Sequence, residues 1–172
     1  MLFAALTRLE LPTIRRVNRA NRLRSVSLLL GAASRLGDGL VWYLLMIALP
    51  FVYGRQELRL SLAMVGCGAA STLAYKAIKA ATRRQRPCAE PGDMTLTVAP
   101  LDVFSFPSGH TLHAVGFTLL VGWFHPELLW VMLPFTGLVA ASRVVLGLHY
   151  PSDVLAGAAL GTGMAALTIA LL

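Results

Sequence analysis

The sequence is short of charge. Only 13% of its 172 residues are Asp, Glu, Lys or Arg, against about 25% in a soluble domain, while 56% are hydrophobic and the mean hydropathy is +0.68. So few polar groups cannot cover a water-soluble globule of this size, and extended disorder is excluded as well, because disordered chains are polar and charged. Cysteine is nearly absent. Cys67 lies in an apolar run and Cys88 in a polar stretch, which leaves no disulfide framework. Lysine is scarce too: Lys76 and Lys79 stand against thirteen arginines and eight acids, for a net charge of +7. Because the arginines flank apolar runs, this charge points to anionic lipid headgroups or a phosphate ligand and away from nucleic acid. There is no compact charged region followed by an apolar stretch and a small-residue cleavage site, so no cleavable signal peptide is expected.

What the chain does have is apolar length. Five uncharged stretches, 39–54, 60–75, 114–124, 128–142 and 154–172, approach with their flanks the ~20 residues that cross ~30 Å of hydrocarbon. Backbone groups in lipid must bond within their own segment, so the stretches are expected to be helices. The fold class is therefore all-α, a polytopic bundle of five or six spans. Residues 1–38 are read as a separate N-terminal segment and 39–172 as the core. Within the first segment Leu2, Leu6, Leu9, Ile14 and Val17 recur at helical spacing among Arg8, Arg15, Arg16, Arg19, Arg22 and Arg24. This pattern predicts a basic amphipathic helix on anionic headgroups, with a solvated tail as the alternative. Residues 20–38 either stop short of the membrane or dip through it as the sixth span. Residues 87–106 form the one long polar loop, and loops of that length are usually functional.

Polar residues gather in three clusters beside span ends. In the first, Lys79 and Arg86 are seven residues apart, near two helical turns, and are expected on one helical face before Pro87 releases the chain into the loop. In the second, Pro107-Ser108-Gly109-His110, Ser108 is a natural N-cap and Gly109 admits a close ligand. A helix N-terminus with free N–H groups binds anions. In the third, Ser142-Arg143 precedes Gly147, His149, Pro151 and Asp153. Gly147 and Pro151 place His149 at a bend, where an Asp on one ring nitrogen leaves the other free as base or nucleophile. Each cluster alone could be an ordinary interfacial feature. The turn at His125-Pro126-Glu127 returns the chain, so all three should lie on one side of the membrane.

Lys79-x6-Arg86-Pro87, Pro107-Ser108-Gly109-His110 and Ser142-Arg143-x5-His149-x3-Asp153 together resemble the three-part signature of the type 2 phosphatidic acid phosphatase superfamily, whose helical core is shared with vanadium haloperoxidases. The resemblance covers roughly residues 40–172 and departs at no signature position. It implies a metal-independent membrane phosphatase with no cofactor, acting on a membrane lipid phosphate or diphosphate such as phosphatidic acid, phosphatidylglycerol phosphate, undecaprenyl diphosphate or lipid A. It further implies that His149 attacks phosphorus to form a phosphohistidine, Asp153 orients His149, and His110 serves as acid and then base. Lys79, Arg86, Ser108, the Gly109 amide and Arg143 would hold the phosphate. A lipid phosphotransferase using the same intermediate, and a non-catalytic membrane protein with a vestigial pocket, are the alternatives. His110-x-x-His113 lacks the carboxylates of a metal site, and His125 should lie at the opposite end and be inert. Counted naively, the positive charge puts the site in the cytoplasm. The resemblance favours the outer face of a bacterial inner membrane, and a sixth span over 20–38 would reconcile the two.

Overall fold

The structure is a computed structural model and describes residues 2–172. Among these it contains seven α-helices and no strand: α1 Leu2–Asn18, α2 Arg24–Gly37, α3 Leu40–Val52, α4 Leu58–Thr82, α5 Gly109–Phe124, α6 Leu129–Val145 and α7 Pro151–Leu171. Three segments, Arg55–Ala89, Pro126–Val145 and Pro151–Leu171, are long and apolar enough to cross a membrane. A fourth crossing arises if α2 and α3, bent by 55° at Asp38–Gly39, count as one span. α5 is shorter, with 16 residues.

The bundle is apolar outside as well as inside. Tyr43, Ile47 and Phe51 of α3, Leu62 and Leu73 of α4, Trp130 and Val131 of α6, and Leu155 and Leu171 of α7 all face outward. Between 17% and 28% of each span window is buried in the protein. A belt of exposed aromatic and aliphatic side chains around helices is what lipid contact requires, and it shows an integral membrane protein.

α5 sits at the centre. Its Leu112, Ala114, Leu120 and Val121 are fully buried, and Ala114, Phe117, Leu120 and Val121 pack in one cluster with Trp42, Met64 and Val139. Lipid tails are as apolar as leucine, so close contact and hydrogen bonds must hold the helices together. Both are present. Ser61 Oγ donates to Met46 O, tying α4 to α3, and Thr118 Oγ1 meets Thr136 Oγ1 at 2.7 Å between α5 and α6. α7 crosses α5 at Gly157 and Gly161. A Cβ at Gly157 would lie 2.5 Å from Ser108 O, and one at Gly161 would lie 2.4 Å from Leu112 O. These are backbone contacts, so no side-chain rotation relieves them.

α1 and α2 lie at the end of the bundle where α4 and α6 terminate. Ile14 is fully buried, and Asn18 and Asn21 bond Thr95 O of the long loop. Arg8, Arg15, Arg16, Arg19, Arg22 and Arg24 are all exposed.

Replacing Gly157 by Ala should push α7 off the first turn of α5 and destabilise the fold by about 1–3 kcal/mol. Thermal unfolding in detergent measures this. Gly163→Ala is the control, since a Cβ there meets nothing within 4 Å.

Candidate active site

Each cluster is placed by a local break in helix. α4 ends at Thr82, and Arg83 adopts the left-handed conformation, φ 49°. Arg86 is therefore on extended chain, with φ −78° and ψ 152°. The expectation that Lys79 and Arg86 share a helical face fails, because the helix stops between them. They converge because the chain turns back. Ser108 caps α5 as expected, accepting from the Thr111 amide. Gly147 has φ +73° and ends α6, while Pro151 starts α7. The amides of Leu148 and His149 both donate to Arg143 O, which fixes His149 in the bend.

The three clusters meet around one polar cavity of about 370 Å³. Its lining includes Lys79, Arg86, Gly109, His110, Arg143 and His149. Ser108 and Asp153 do not line it. Ser108 is fully buried, with its hydroxyl on Thr111 and its amide donating to Asp153 O. His113 turns away from His110, to Thr72 Oγ1 and Gly68 O. His125 lies at the far end with Glu57 and Glu127.

Buried cations need counter-charges, and their sources are mostly residues that sequence spacing had passed over. Asp102 of the long loop accepts from Lys79 Nζ at 2.8 Å and from Arg86 Nη2 at 2.7 Å. Burial raises the Asp102 carboxyl, but Lys79 and Arg86 outweigh it and hold the group below its ordinary value. Asp38, at the α2–α3 break, contacts His110 Nε2. Ser34 of α2 accepts from Arg143. Arg84 donates to Asp153 Oδ1 at 2.6 Å and to Glu10 Oε2 at 2.8 Å. None of these partners has a regular sequence spacing. The only available signal was that each is an isolated acid or hydroxyl near a span end.

His149 is 1% exposed and its tautomer follows from its neighbours. Arg86 Nη1 lies 3.0 Å from Nε2. A guanidinium only donates, so Nε2 carries the lone pair and Nδ1 the proton. Nδ1 faces Asp153 Oδ2 at 3.6 Å, beyond hydrogen-bond range. Burial, with Arg143, Arg86 and Lys79 nearby, holds the imidazole well below histidine's ordinary value. The arrangement thus presents a neutral imidazole nitrogen to a cavity lined by cations and the first turn of a helix. This is chemistry suited to a tetrahedral oxyanion.

A second, apolar cavity of about 510 Å³ runs between α3 and α4, lined by Trp42, Tyr43, Met46, Val65, Leu73 and Phe117 among others. It shares Gly37, Asp38, Tyr43, Thr72 and His113 with the polar cavity.

Fold and site together define a membrane-embedded helical bundle that carries a polar cavity lined by cations and histidines at one end. The sequence pattern of the PAP2 superfamily matches residues 57–172, and the chain belongs to that superfamily. It is 39% identical over 90 residues to a decaprenylphosphoryl-5-phosphoribose phosphatase of Mycobacterium tuberculosis, covering 52% of this chain and 49% of the relative. It is 44% identical over 57 residues to the bacitracin transport permease protein BcrC of Bacillus licheniformis, covering 33% and 28%. The matches thus span about half, or less, of these relatives' lengths. The structure of LpxE from Aquifex aeolicus superposes with a TM-score of 0.80 at 24% identity, over 94% of this chain and 95% of that one.

Asp102 is lowered on folding, so its ion pairs stabilise the protein fully above about pH 4, its unfolded value. That contribution is lost as pH falls through the lowered folded value. Wild type should therefore melt higher than Asp102→Asn near neutrality, and the gap should close as pH drops below about 4. Paired thermal melts across pH check this.

Proposed function

We propose that the protein is a metal-independent lipid phosphatase that hydrolyses a membrane lipid phosphate or diphosphate through a phosphohistidine on His149. The observation that carries this reading is the shared wall of the two cavities. One is polar and cationic. The other is apolar and flanked by the lipid-facing residues Tyr43, Val65 and Leu73. A phosphate headgroup fits the first while its acyl or prenyl chain lies in the second.

In this reading Lys79, Arg86, Arg143 and the Gly109 amide hold the equatorial oxygens, and Ser108 fixes the start of α5 around them. His149 Nε2 attacks phosphorus in line as the bond to the leaving oxygen breaks, and His110 gives that oxygen its proton. His110 then takes a proton from water, which attacks phosphorus and releases His149. Asp153, with Oδ2 3.6 Å from Nδ1, balances the charge that the imidazole gains.

Wild type should release phosphate from at least one member of a panel of phosphatidic acid, phosphatidylglycerol phosphate and polyprenyl phosphates or diphosphates. Activity should survive EDTA and be inhibited by vanadate, a mimic of the pentavalent state. His149→Ala should abolish turnover, Asp153→Asn should leave a residue, and His110→Ala should lose least on aryl phosphates. The acid limb of kcat/KM should fall below histidine's usual value of about 6.5, because His149 stays neutral to lower pH. Loss of all activity in EDTA with rescue by a divalent ion, or a live His149→Ala, would overturn the mechanism.

We also propose five crossings, with α2 and α3 sharing one, and an anionic-lipid contact for the exposed arginines of α1 and α2. Support comes from α5, whose two ends lie at opposite ends of the bundle despite its 16 residues. No helix is then left over for a separate sixth span across 20–38. The six N-terminal arginines share the face that carries the site, and Arg55 and Arg59 lie at the other end. We therefore favour the cytoplasmic face of the bacterial inner membrane over the outer face expected from resemblance. Cys88, half-buried in the loop, and Cys67, buried in α4, give the test. An impermeant thiol reagent should label Cys88 only after permeabilisation, and labelling in intact cells would place the site outside.

A further inference from the structure

Glu10 is the only acid in residues 1–37, and no arginine or lysine stands three or four residues from it. Local helix pairing therefore does not explain it. The structure instead directs it out of α1 into the buried end of the bundle. Its Oε2 accepts from Arg84 Nη2 and from Ser152 Oγ, both at 2.8 Å, and its Oε1 accepts from the Ser152 amide at 2.7 Å. That amide belongs to the first turn of α7, where free N–H groups and the helix dipole favour a carboxylate.

Arg84 passes the contact inward. Its side chain is 2% exposed and lies over the Tyr150 ring, 3.9 Å from the centroid. Nη1 donates to Ser152 Oγ at 2.7 Å and to Asp153 Oδ1 at 2.6 Å. The other Asp153 oxygen accepts from the Tyr150 amide and faces His149 Nδ1. Asp153 is thus held by the backbone on one side and by Arg84 on the other. Arg84 and Asp153 alone would sum to zero charge beside His149. With Glu10 the three carry one net negative charge, which favours the positive imidazole that forms when Nε2 bonds to phosphorus.

We propose that Glu10, acting through Arg84, is a positioning residue for the Asp153–His149 pair, so that the N-terminal helix is part of the active site. The proposal rests on the phosphatase reading for its kinetic consequence. It does not need that reading for its electrostatic one.

The test uses the full chain in detergent, with Glu10→Gln, Glu10→Ala, Arg84→Gln and the double variant. Glu10→Ala should lower kcat about tenfold or more and leave KM within about twofold, because Glu10 does not touch the cavity. Glu10→Gln keeps the shape and an acceptor for Arg84, and should fall between Glu10→Ala and wild type. In the Arg84→Gln background, Glu10→Ala should add little, since the route is already cut. Independently of turnover, the His149 imidazole followed by NMR should titrate about half a unit or more lower in Glu10→Gln. Glu10→Gln is near-isosteric, so if Glu10→Ala does not fold, the smaller kcat loss and the lowered His149 titration expected of Glu10→Gln carry the test. Wild-type kcat in Glu10→Gln with an unmoved His149 titration would overturn the proposal, as would equal fractional losses with and without Arg84. A wild type that releases phosphate from no lipid counts against the phosphatase reading, whereas an unmoved His149 titration counts against the Glu10 relay.

Discussion

The backbone contact between α5 and α7 is the constraint on which the site depends. At Gly157 and Gly161 the two helices approach until the Cβ of any larger residue would strike a carbonyl oxygen. His110 stands in the first turn of α5, and His149 stands just before the first turn of α7. The packing that makes the bundle therefore also sets the separation of the two histidines. The Ser108 amide, bonded to Asp153 O across the same contact, fixes the register as well as the distance. In a lipid environment, where the hydrophobic effect gives helices no reason to associate, such close backbone packing is one of the few forces available.

A second constraint follows from the first. A tight bundle in an apolar medium cannot leave cations unpaired, yet a phosphate site needs several of them. The structure meets both demands by drawing acids from segments remote in sequence. Asp102 comes from the long loop, Asp38 from the α2–α3 break and Glu10 from α1. The outcome is a set of cations oriented before any ligand is present, with Lys79 and Arg86 sharing one carboxylate and Arg143 held by the neutral Ser34 hydroxyl. Asp102 differs from the other two because it bonds two of the cations that line the cavity, Lys79 and Arg86.

Much of this was legible in the sequence, and the boundary has a physical cause. The five apolar stretches, the N-cap at Ser108, the bend at Gly147 and the convergence of three clusters all follow from local rules of helix formation and from the alternation of chain direction in a hairpin bundle. Lys79 and Arg86 were legible as partners for the wrong reason, since the left-handed turn at Arg83 and not helical periodicity brings them together. Asp153 was legible, but Asp102, Asp38 and Glu10 were not. A pairing such as Glu10 with Arg84, 74 residues apart, has no period and depends wholly on how α1 lies across the bundle end. The resemblance begins near residue 40, so it carried no information about α1.

The placement of α1 changes what the N-terminal arginines can mean. Read from sequence, they serve a helix resting on headgroups. In the structure the same helix turns its buried side, with Ile14 and Glu10, toward the bundle and its arginines outward. The two roles are compatible because they use opposite faces. In the proposed arrangement, a helix resting on anionic lipid with one face and bonded to Arg84 through the other would link the membrane surface to Asp153. Through Glu10, α1 meets both Arg84 at the end of α4 and the first turn of α7 at Ser152, so the polar end of the bundle joins segments remote in sequence.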